Sequence, residues 1–274
     1  MSKISIITVN YNNADGLAQT IASVTSQSHS NFEYIVIDGD SNDGSVTVIE
    51  ENADLITTWI SEKDTGVYEA MNKGIGLAGG NYVLFLNSGD TFISTNVLEE
   101  ASKKINGSID IYYGNLMFIG EGKVQLREYP KELRFSYFLK RSLPHPGSFI
   151  KRELFDEIFY YSEDFKIASD WEFFLVAICK SGVSYKHLEM VISNFALDGM
   201  SNERGNMGKI VEERKKILQK HFPTFYEDAL TMEKHQNILN RKDVKLYLEQ
   251  QYSKMGRKLH IKLMKLLAFF FHTK

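Results

Sequence analysis

Short apolar runs alternate with segments of helical periodicity through much of the chain. This alternation is typical of βαβ units and predicts an α/β fold with a mainly parallel central sheet flanked by helices. The predicted strands are residues 4–9, 32–37, 55–60 and 82–86, followed by shorter strands at 109–113 and 124–127. Helices are predicted after the capping residues Asn12 and Asn13, and at residues 45–51, 66–78 and 169–180.

The chain becomes helical and more charged from about residue 203 onward, with no repeat or low-complexity linker before that change. We therefore expect an α/β domain over residues 1–202 and a C-terminal helical region over residues 203–274.

The composition argues against several classes of protein. Lys and Arg number 32 against 35 Asp and Glu, so no basic field indicates a nucleic-acid partner. The single cysteine, Cys179, excludes a disulfide framework, and its apolar neighbours favour a buried small side chain. Because the N-terminal residues lack a signal-peptide pattern and no window reaches the length of a membrane span, we expect a cytoplasmic protein.

Polar residues follow three of the predicted strands. They are Thr8, Asn10 and Tyr11 after the first strand, residues 38–44 after the second, and Asn87, Ser88, Gly89 and Asp90 after the fourth. Parallel strands bring such ends to one edge of the sheet, where open α/β sheets bind ligands. Asp38 could accept a hydrogen bond from a base, Tyr11 could stack on a planar ring, and Asp90 could bind Mg²⁺ or Mn²⁺. The alternative is that both polar segments are only turns, since Asp, Asn, Ser and Gly are common in turns.

Three glycines match a dinucleotide-binding fingerprint in the wrong context. Gly74, Gly76 and Gly79 fit G-x-G-x-x-G but lie late in a predicted helix and precede a strand. The fingerprint requires the opposite order, since the pyrophosphate lies at a helix N-terminus. We expect Gly79 and Gly80 to end the helix instead.

Five segments together resemble the family 2 glycosyltransferases, which have the GT-A fold, and the resemblance covers about residues 4–202. The segments are ISIITVNYNN at 4–13, IDGDSNDGS at 37–45, EKDTGVYEAMNKGI at 62–75, FLNSGD at 85–90 and IASDWEF at 167–173. The chain looks most like bacterial enzymes that assemble surface polysaccharides.

The resemblance implies a role for each matching residue. Thr8, Asn10, Tyr11 and Asp38 would hold the base and ribose, and Asp64, Asn72 and Lys73 would line the donor pocket, with Asn87 and Ser88 beside it. Asp90 would be the metal ligand, for Mn²⁺ or Mg²⁺, and Asp170 the catalytic base.

Inverting sugar transfer needs one base for the acceptor hydroxyl and one device to stabilise the departing diphosphate. Asp170 suits the first role and a metal at Asp90 the second. The alternative for Asp170 is an N-cap of its helix. Many relatives carry another Asp in the acidic motif, whereas Asn87 and Gly89 here leave Asp90 as its only carboxylate. We therefore expect weak metal binding until the donor diphosphate adds its own oxygens.

The acceptor side is less clearly marked. His145 and Trp171 are candidate acceptor contacts, although His145 could equally be structural, and Pro146 follows it where relatives often have Gln. Residues 197–201 resemble a segment that closes over the donor, with an ordinary turn as the alternative. Arg141, Arg204 and Lys209 are candidate phosphate contacts or solvated surface.

The C-terminal region carries a basic amphipathic pattern. Lys258, Lys262 and Lys265 share one helical stripe, and a second stripe is apolar: Leu259, Leu263, Leu266, Leu267 and Phe270. We expect it to lie on the inner leaflet of the membrane, where a lipid-linked acceptor would be found. Packing on the protein's own core or on a second subunit is the alternative.

Together these features predict an inverting, metal-assisted transferase. It would move a sugar from a nucleotide-diphosphate donor to a lipid-linked (polyprenyl diphosphate) glycan. A UDP-sugar is the donor that we expect. One rival is a sugar nucleotidyltransferase, which normally has a Gly-rich phosphate loop near its first strand; none follows residues 4–9. The other is an inactive nucleotide-sugar-binding or scaffold protein, which the reduced acidic motif would suit.

Overall fold

The computed structural model describes residues 2–120, 122–196, 206–251 and 253–271. The chain forms two compact units, Met1–His221 and Phe222–Lys274. The first unit therefore continues past residue 202 to include one further helix. The assignment of residues 1–202 as the catalytic domain stays a prediction.

Nine strands form one sheet within the described residues. They are β1 (Ile4–Asn10), β2 (Phe32–Asp38), β3 (Thr58–Ser61), β4 (Tyr82–Phe85), β5 (Thr91–Phe92), β6 (Ile111–Gly120), β7 (Lys123–Arg127), β8 (Ser148–Lys151) and β9 (Tyr185–Ala196). The order is β3-β2-β1-β4-β8-β6-β9-β5, with β7 paired to β6. The strands from β3 to β4 are parallel, and β8 then joins antiparallel to β4 and β6. The α/β fold class is confirmed, with a sheet that is parallel in its N-terminal half and mixed beyond β4.

The helices of the first unit flank this sheet. They are α1 (Ala14–Thr25), α2 (Ser45–Glu51), α3 (Val67–Leu77), α4 (Val97–Lys104), α5 (Phe135–Phe138), α6 (Glu153–Glu157), α7 (Ser169–Cys179) and α8 (Met207–His221). The second unit contains α9 (Tyr226–Leu239), α10 (Lys242–Gln251) and α11 (Lys254–Phe271). Among the described helices, none is both long and apolar enough to cross a bilayer.

The two faces of β1 pack against different helices because successive side chains of a strand point to opposite faces. Ile4 and Ile6 join a core cluster with Leu17 and Ile21 of α1. On the other face, a Cβ added to Gly74 of α3 would lie 2.5 Å from Cγ2 of Ile7. Glycine is therefore required there for close helix–strand packing. Helix α3 ends at Leu77, and the amides of Gly79 and Gly80 donate to Glu33, so these glycines serve packing and a turn.

Several elements differ from the sequence prediction. Residues 53–55 form a short 3₁₀ turn, so β3 begins at Thr58 rather than at residue 55. Strand β9 was not predicted, because polar residues interrupt its apolar pattern. A register shift between β6 and β9, and a positive φ of 55° at Glu189, also break its regular alternation.

Three leucines of the apolar stripe of α11 are exposed: Leu259, Leu263 and Leu267. Leu259 is 70% and Leu263 52% exposed, and Tyr247 of α10 packs against His260 of α11 with ring centroids 4.5 Å apart. Helix α11 therefore keeps an accessible apolar surface beside its lysines.

Candidate active site

The ends of β1 and β2 are joined by a buried polar cluster around Asp38. Asn10 and Asp38 are direct partners across the two strands, and Nδ2 of Asn10 donates to Oδ1 of Asp38 at 2.7 Å. The Asp38 carboxylate also accepts from the Ser41 amide at 3.0 Å, the Ser41 hydroxyl at 2.6 Å and the Ser61 hydroxyl at 2.7 Å. Burial by itself would raise the pKa of Asp38, but these hydrogen bonds outweigh it and hold that pKa below the ordinary value. Asp38 is therefore a fixed anionic acceptor.

One atom of this cluster is left available for a ligand. Oδ1 of Asn10 is buried, and the described residues provide no hydrogen-bond partner for it. A buried amide oxygen without a partner is costly unless water or a ligand donates to it. Asn10 thus offers an acceptor beside Asp38, as expected for a residue that binds a base or ribose.

Tyr11, Gly39 and Asp64 lie side by side at the same edge. Tyr11 is 68% exposed. A Cβ added to Gly39 would lie 3.2 Å from Cδ2 of Tyr11 and 3.4 Å from Oδ2 of Asp64. The structure therefore brings an exposed aromatic ring next to a carboxylate, and any side chain at residue 39 would crowd the space between them.

Lys73 orients Asp64 within an acidic cluster. Its ammonium group forms ion pairs with Asp64, with Glu62 at 2.8 Å and with Glu69 at 3.3 Å. Burial raises the pKa of Asp64, and the hydrogen bond and charge of Lys73 offset part of that rise. Since three carboxylates surround it, Lys73 serves first to hold Asp64 in place.

Two predicted donor contacts are engaged by the protein itself. Thr8 is fully buried, with its hydroxyl 3.0 Å from Tyr34 Oη and donating to the Leu86 carbonyl at 2.7 Å. Asn72 accepts from the Tyr161 amide at 3.0 Å and donates to its carbonyl at 2.9 Å. In this conformation neither side chain is free to contact a nucleotide-sugar donor. Thr8 stabilises the core, and Asn72 holds the segment that contains Tyr161.

The turn after β4 is tied to α1. The amide of Gly89, at a φ of 98°, donates to the Gly16 carbonyl at 3.1 Å and to the Thr20 hydroxyl at 3.0 Å. Nδ2 of Asn13 donates to the carbonyl of Ser88 at 3.2 Å, with its hydroxyl 3.4 Å away. The positive φ favours glycine at position 89. Ser88 is thus held by α1 at the edge where Asp38 lies.

Asp90 follows this turn and is 6% exposed. Burial raises its pKa to about 7, and a 3.0 Å hydrogen bond from the Ala196 amide at the end of β9 offsets part of the effect. The oxygen Oδ1 of Asn87 is buried and has no hydrogen-bond partner among the described residues. One carboxylate and one unpartnered amide oxygen are hard ligands that suit Mg²⁺ or Mn²⁺.

This ligand set is incomplete by itself. Within the described part of the chain, no group of three His, Cys, Asp or Glu side chains could hold a metal ion. The residues therefore fit a divalent cation only if further oxygens come from elsewhere, as a diphosphate would provide.

Asp170 is the second residue of α7, and its side chain does not cap the helix. The N-cap position is Ala168. Oδ1 of Asp170 instead accepts a hydrogen bond of 3.0 Å from the hydroxyl of Tyr68 in α3. The N-cap alternative for Asp170 is therefore wrong, and its half-buried carboxylate is held by a tyrosine that also lines a small cleft. The cleft is lined by Thr65, Gly66, Val67, Tyr68, Glu69, Glu163, Phe165 and Lys166.

His145 lies in an aromatic cluster close to this carboxylate. Its Nε2 is 2.9 Å from the hydroxyl of Tyr161, and its ring stacks on Phe85 with centroids 4.6 Å apart. Tyr161 in turn packs against Tyr68 with centroids 5.6 Å apart. Burial lowers the pKa of His145, while the charge of Asp170 acts in the opposite direction. The structure thus places the predicted acceptor histidine near the predicted base.

Trp171, a predicted acceptor contact, is buried in the core. It is 2% exposed, its Nε1 donates to the Phe138 carbonyl at 2.7 Å, and the Arg214 guanidinium carbon lies 4.9 Å from its ring centroid. Consecutive residues of a helix do not face the same way, so Trp171 enters the core while Asp170 points toward Tyr68 of α3.

The three predicted phosphate contacts and the predicted closing segment are exposed or fall outside the described residues. Arg141 and Lys209 are exposed. Arg204 and the segment 197–201 fall outside the described residues.

Sequence reasoning missed Tyr68, Tyr161 and the serines at 41 and 61 as site residues. Tyr68 and Ser41 lie inside the quoted motifs and could have been found from them. Tyr161 has no local signal, since only the fold brings it to His145.

Comparison with known proteins identifies the family. The family model described as Glycosyl transferase family 2 matches residues 5–169, which is more than half of the chain. An uncharacterized glycosyltransferase of Mycobacterium tuberculosis is 33% identical over 208 residues, covering 73% of this chain and 78% of that protein. The Escherichia coli UDP-Glc:alpha-D-GlcNAc-diphosphoundecaprenol beta-1,3-glucosyltransferase WfgD is 30% identical over 122 residues, or 44% of this chain and 48% of WfgD.

Solved structures show the same architecture. A Staphylococcus aureus TarS fragment in complex with UDP-GlcNAc has a TM-score of 0.63 at 17% identity, covering 80% of this chain and 67% of the fragment. A longer TarS structure is matched over 43% of its length. The mannosyltransferase PcManGT from Pyrobaculum calidifontis, in complex with GDP-Man and Mn²⁺, has a TM-score of 0.62 at 16% identity, covering 98% of this chain and 81% of that one. The chain has the GT-A fold of these enzymes and belongs to the family 2 glycosyltransferases.

Proposed function

We propose that this chain is an inverting glycosyltransferase that moves a sugar from a UDP-sugar to a hydroxyl of a lipid-linked glycan. The observation that carries the proposal is the half-buried Asp170 carboxylate, which accepts a 3.0 Å hydrogen bond from Tyr68 in a chain of this family. The TarS complex with UDP-GlcNAc and the name of WfgD, with its UDP-Glc donor and diphosphoundecaprenol acceptor, support the donor and acceptor classes.

The nucleotide would bind at the ends of β1 and β2. Asp38 accepts a hydrogen bond from the base imide, Asn10 offers its unpartnered oxygen, and Tyr11 stacks on the base. Asp64 lies next to Tyr11 and is oriented by Lys73. Because Asp38 and Asp64 are held by fixed partners, they would orient the nucleotide-sugar donor before the sugar is transferred.

The diphosphate would lie near the turn after β4. Asp90 and Asn87 would hold Mn²⁺ or Mg²⁺, together with oxygens of the diphosphate. When bound, such an ion supplies positive charge that stabilises the leaving diphosphate. Ser88 borders the same turn and is held there by Asn13.

Asp170 would act as the base. The acceptor oxygen attacks the anomeric carbon, its proton passes to Asp170, and the bond from that carbon to the diphosphate oxygen breaks with the electron pair leaving on the diphosphate. Tyr68 donates to Asp170 and so orients the carboxylate toward the incoming hydroxyl. His145 and Tyr161 lie beside this pair and would shape the acceptor side.

The lipid-linked acceptor would bring the enzyme to the cytoplasmic face of the inner membrane, for synthesis of a surface polysaccharide such as O-antigen, capsule or exopolysaccharide. Helix α11 carries exposed Leu259 and Leu263 together with Lys258, Lys262 and Lys265. A basic amphipathic helix binds anionic lipid through both features. Removal of residues 256–274 should abolish co-sedimentation with anionic liposomes. With neutral liposomes, the truncated protein should remain in the supernatant. Unchanged sedimentation after the truncation would contradict membrane docking by this helix.

Turnover tests the proposed activity. UDP-, GDP- and dTDP-sugars are incubated with Mn²⁺ and the enzyme, with and without a polyprenyl-diphosphate glycan, and donor hydrolysis and transfer are measured. Asp170→Asn keeps the acceptor oxygen for Tyr68 but cannot take a proton, so we expect a loss of at least about 10²-fold in kcat with donor binding retained. Asp156→Asn is the matched control, since exposed Asp156 also accepts from a tyrosine, Tyr160 at 2.7 Å.

The outcomes separate the proposal from its rivals. An inverted anomeric configuration of the product, read by NMR, supports direct displacement. Diphosphate release from a nucleoside triphosphate and a sugar phosphate would indicate a nucleotidyltransferase. Donor binding without hydrolysis or transfer for any sugar would indicate an inactive nucleotide-sugar-binding or scaffold protein.

A further inference from the structure

The chain segment that leads into α7 is held by one carboxylate from α8. Glu213 accepts hydrogen bonds from three successive backbone amides: Lys166 at 2.8 Å, Ile167 at 3.0 Å and Ala168 at 3.0 Å. Hydrogen bonds to an ionised acceptor are stronger than those between neutral groups. A single side chain therefore fixes the backbone immediately before Asp170.

The same segment is fixed from its other side by α3. Nζ of Lys166 donates to the Thr65 carbonyl at 3.2 Å, just before α3 begins, and Tyr68 in the first turn of α3 donates to Asp170. Asp170 consequently lies two residues after a segment that is held between α3 and α8.

An ion pair joins α7 to α8. Glu172 is fully buried and accepts from Lys220 at 3.0 Å and from His221 at 2.6 Å, both in the last turn of α8. Helix α8 thus holds the start of α7 and the segment before it through Glu213, near the middle of α8, and through Lys220 and His221 at its end. It lies beyond residue 169, where the family match ends, yet it belongs to the same compact unit.

We propose that Glu213 is a positioning residue for Asp170, and that α8 is part of the catalytic unit. This inference rests on the proposed function, because it assigns Glu213 a role in the transfer reaction. Without the Glu213 carboxylate, three amides lose their acceptor and the start of α7 becomes free to shift. A shift of about 1 Å in a catalytic group can reduce a rate by about 10²-fold. Nucleotide binding, at the ends of β1 and β2, would not change.

The test compares variants of two neighbouring glutamates of α8 in the full chain. Glu213→Ala removes the acceptor, and Glu213→Gln keeps the side-chain length and one acceptor oxygen. Glu212→Ala is the control, since Glu212 is 68% exposed and pairs only with Lys216 among the described residues. For each variant, kcat and the donor KM are measured, and hydrogen exchange is followed in peptides that cover residues 165–176.

We expect Glu213→Ala to lower kcat by about 10- to 100-fold with the donor KM changed by less than about threefold. Glu213→Gln should lie between this variant and the wild type, and Glu212→Ala should match the wild type. Amides 166–168 should exchange faster only in the Glu213 variants.

Equal kcat values for Glu213→Ala and Glu212→Ala would overturn the proposal. So would a loss of kcat that only follows the fraction of folded protein, with exchange at residues 165–176 unchanged. If Glu213→Ala does not fold, Glu213→Gln is judged by the same criteria. If the wild type shows no turnover with any donor, the proposed function fails, and the exchange measurement still decides whether Glu213 holds this segment.

Discussion

The hydroxyl of Tyr68 lies 3.0 Å from Oδ1 of Asp170 and joins α3 to the first turn of α7 across 102 residues of sequence. Burial raises the pKa of Tyr68 well above its ordinary value, and the charge of Asp170 adds to the rise. The hydroxyl therefore keeps its proton at neutral pH and remains a donor to the carboxylate.

Replacing Tyr68 by Phe should reduce kcat by about 10- to 150-fold, because a hydrogen bond to a charged group is worth about 1.5–3 kcal/mol. The aromatic ring stays, so its packing against Tyr161 and the fold should be kept. Steady-state kinetics with the best donor measures the effect. Tyr160→Phe is the matched control, since it removes a hydroxyl from an exposed tyrosine–aspartate pair. The same loss in both variants would contradict a special role for Tyr68.

Two glycines of α3 should respond in opposite directions to alanine. At Gly74 the added Cβ would meet Ile7 at 2.5 Å, whereas at Gly76 it would meet nothing within 4 Å. Gly74→Ala should lower the free energy of unfolding by about 1–3 kcal/mol through overpacking, and Gly76→Ala should raise it by up to about 1 kcal/mol through helix propensity. Urea denaturation of both variants measures the difference.

The double variant Ile7→Val with Gly74→Ala checks the cause. Valine at residue 7 keeps Cγ2, so it should relieve little of the overpacking by the added Cβ. Ile7→Ala removes the contacting atom, so it should recover part of the free energy of unfolding that Gly74→Ala loses. Destabilisation by alanine at both glycines would contradict this account of their packing.

Asp38 should contribute to stability in a pH-dependent manner. Its folded-state pKa is lowered, so its contribution is present above the unfolded-state value of about 3.9 and is lost as the pH falls through the folded-state pKa. At pH 6, Asp38→Asn should lower the free energy of unfolding by about 1–3 kcal/mol, because an amide replaces an acceptor for the serine donors.

The difference between the wild type and Asp38→Asn should therefore narrow below about pH 4, when measured by chemical denaturation at both pH values. The variant Asp54→Asn, at an exposed carboxylate of the same unit, serves as the control at each pH. If the difference between the two proteins widens on acidification, the pKa of Asp38 is not lowered in the folded state and the prediction is wrong.

Metal binding should depend on the nucleotide. Because Asp90 is the only carboxylate of its turn, calorimetry should detect little Mn²⁺ binding to the free protein and clear binding in the presence of UDP. Asp90→Asn should remove the binding seen with UDP, while Asp54→Asn, an exposed carboxylate of the same unit, should not. Tight Mn²⁺ binding to the free protein would contradict this prediction.

Much of the N-terminal half was predictable because its signals are local. Apolar runs and helical periodicity indicated β1, β2, β4, α1 and α3, and the motifs indicated the family, which the comparisons confirmed. The second half was harder to predict. Strand β9 carries polar residues and a break in its alternation, so its pairing with β6 could be recognised only in three dimensions.

Side-chain direction separates the site residues that lie as expected from those that do not. Thr8 shares a strand face with Ile4 and Ile6, and this period-two pattern could have indicated that it is buried. Trp171 follows Asp170 directly on α7, so the two cannot face the same way. Membership of a motif therefore does not decide which of its side chains is buried in the core.

The sequence by itself determined the strands and helices of the N-terminal part up to β4, the polar strand ends that hold Asn10, Asp38 and Asp90, and the family. These follow from hydrophobic periodicity and local motifs, which depend on residues near one another in the chain. Only the tertiary structure decided that Tyr68 holds Asp170, that Trp171 enters the core and that Glu213 holds the segment before α7. Those contacts join distant segments, and their geometry depends on how helices pack against one sheet.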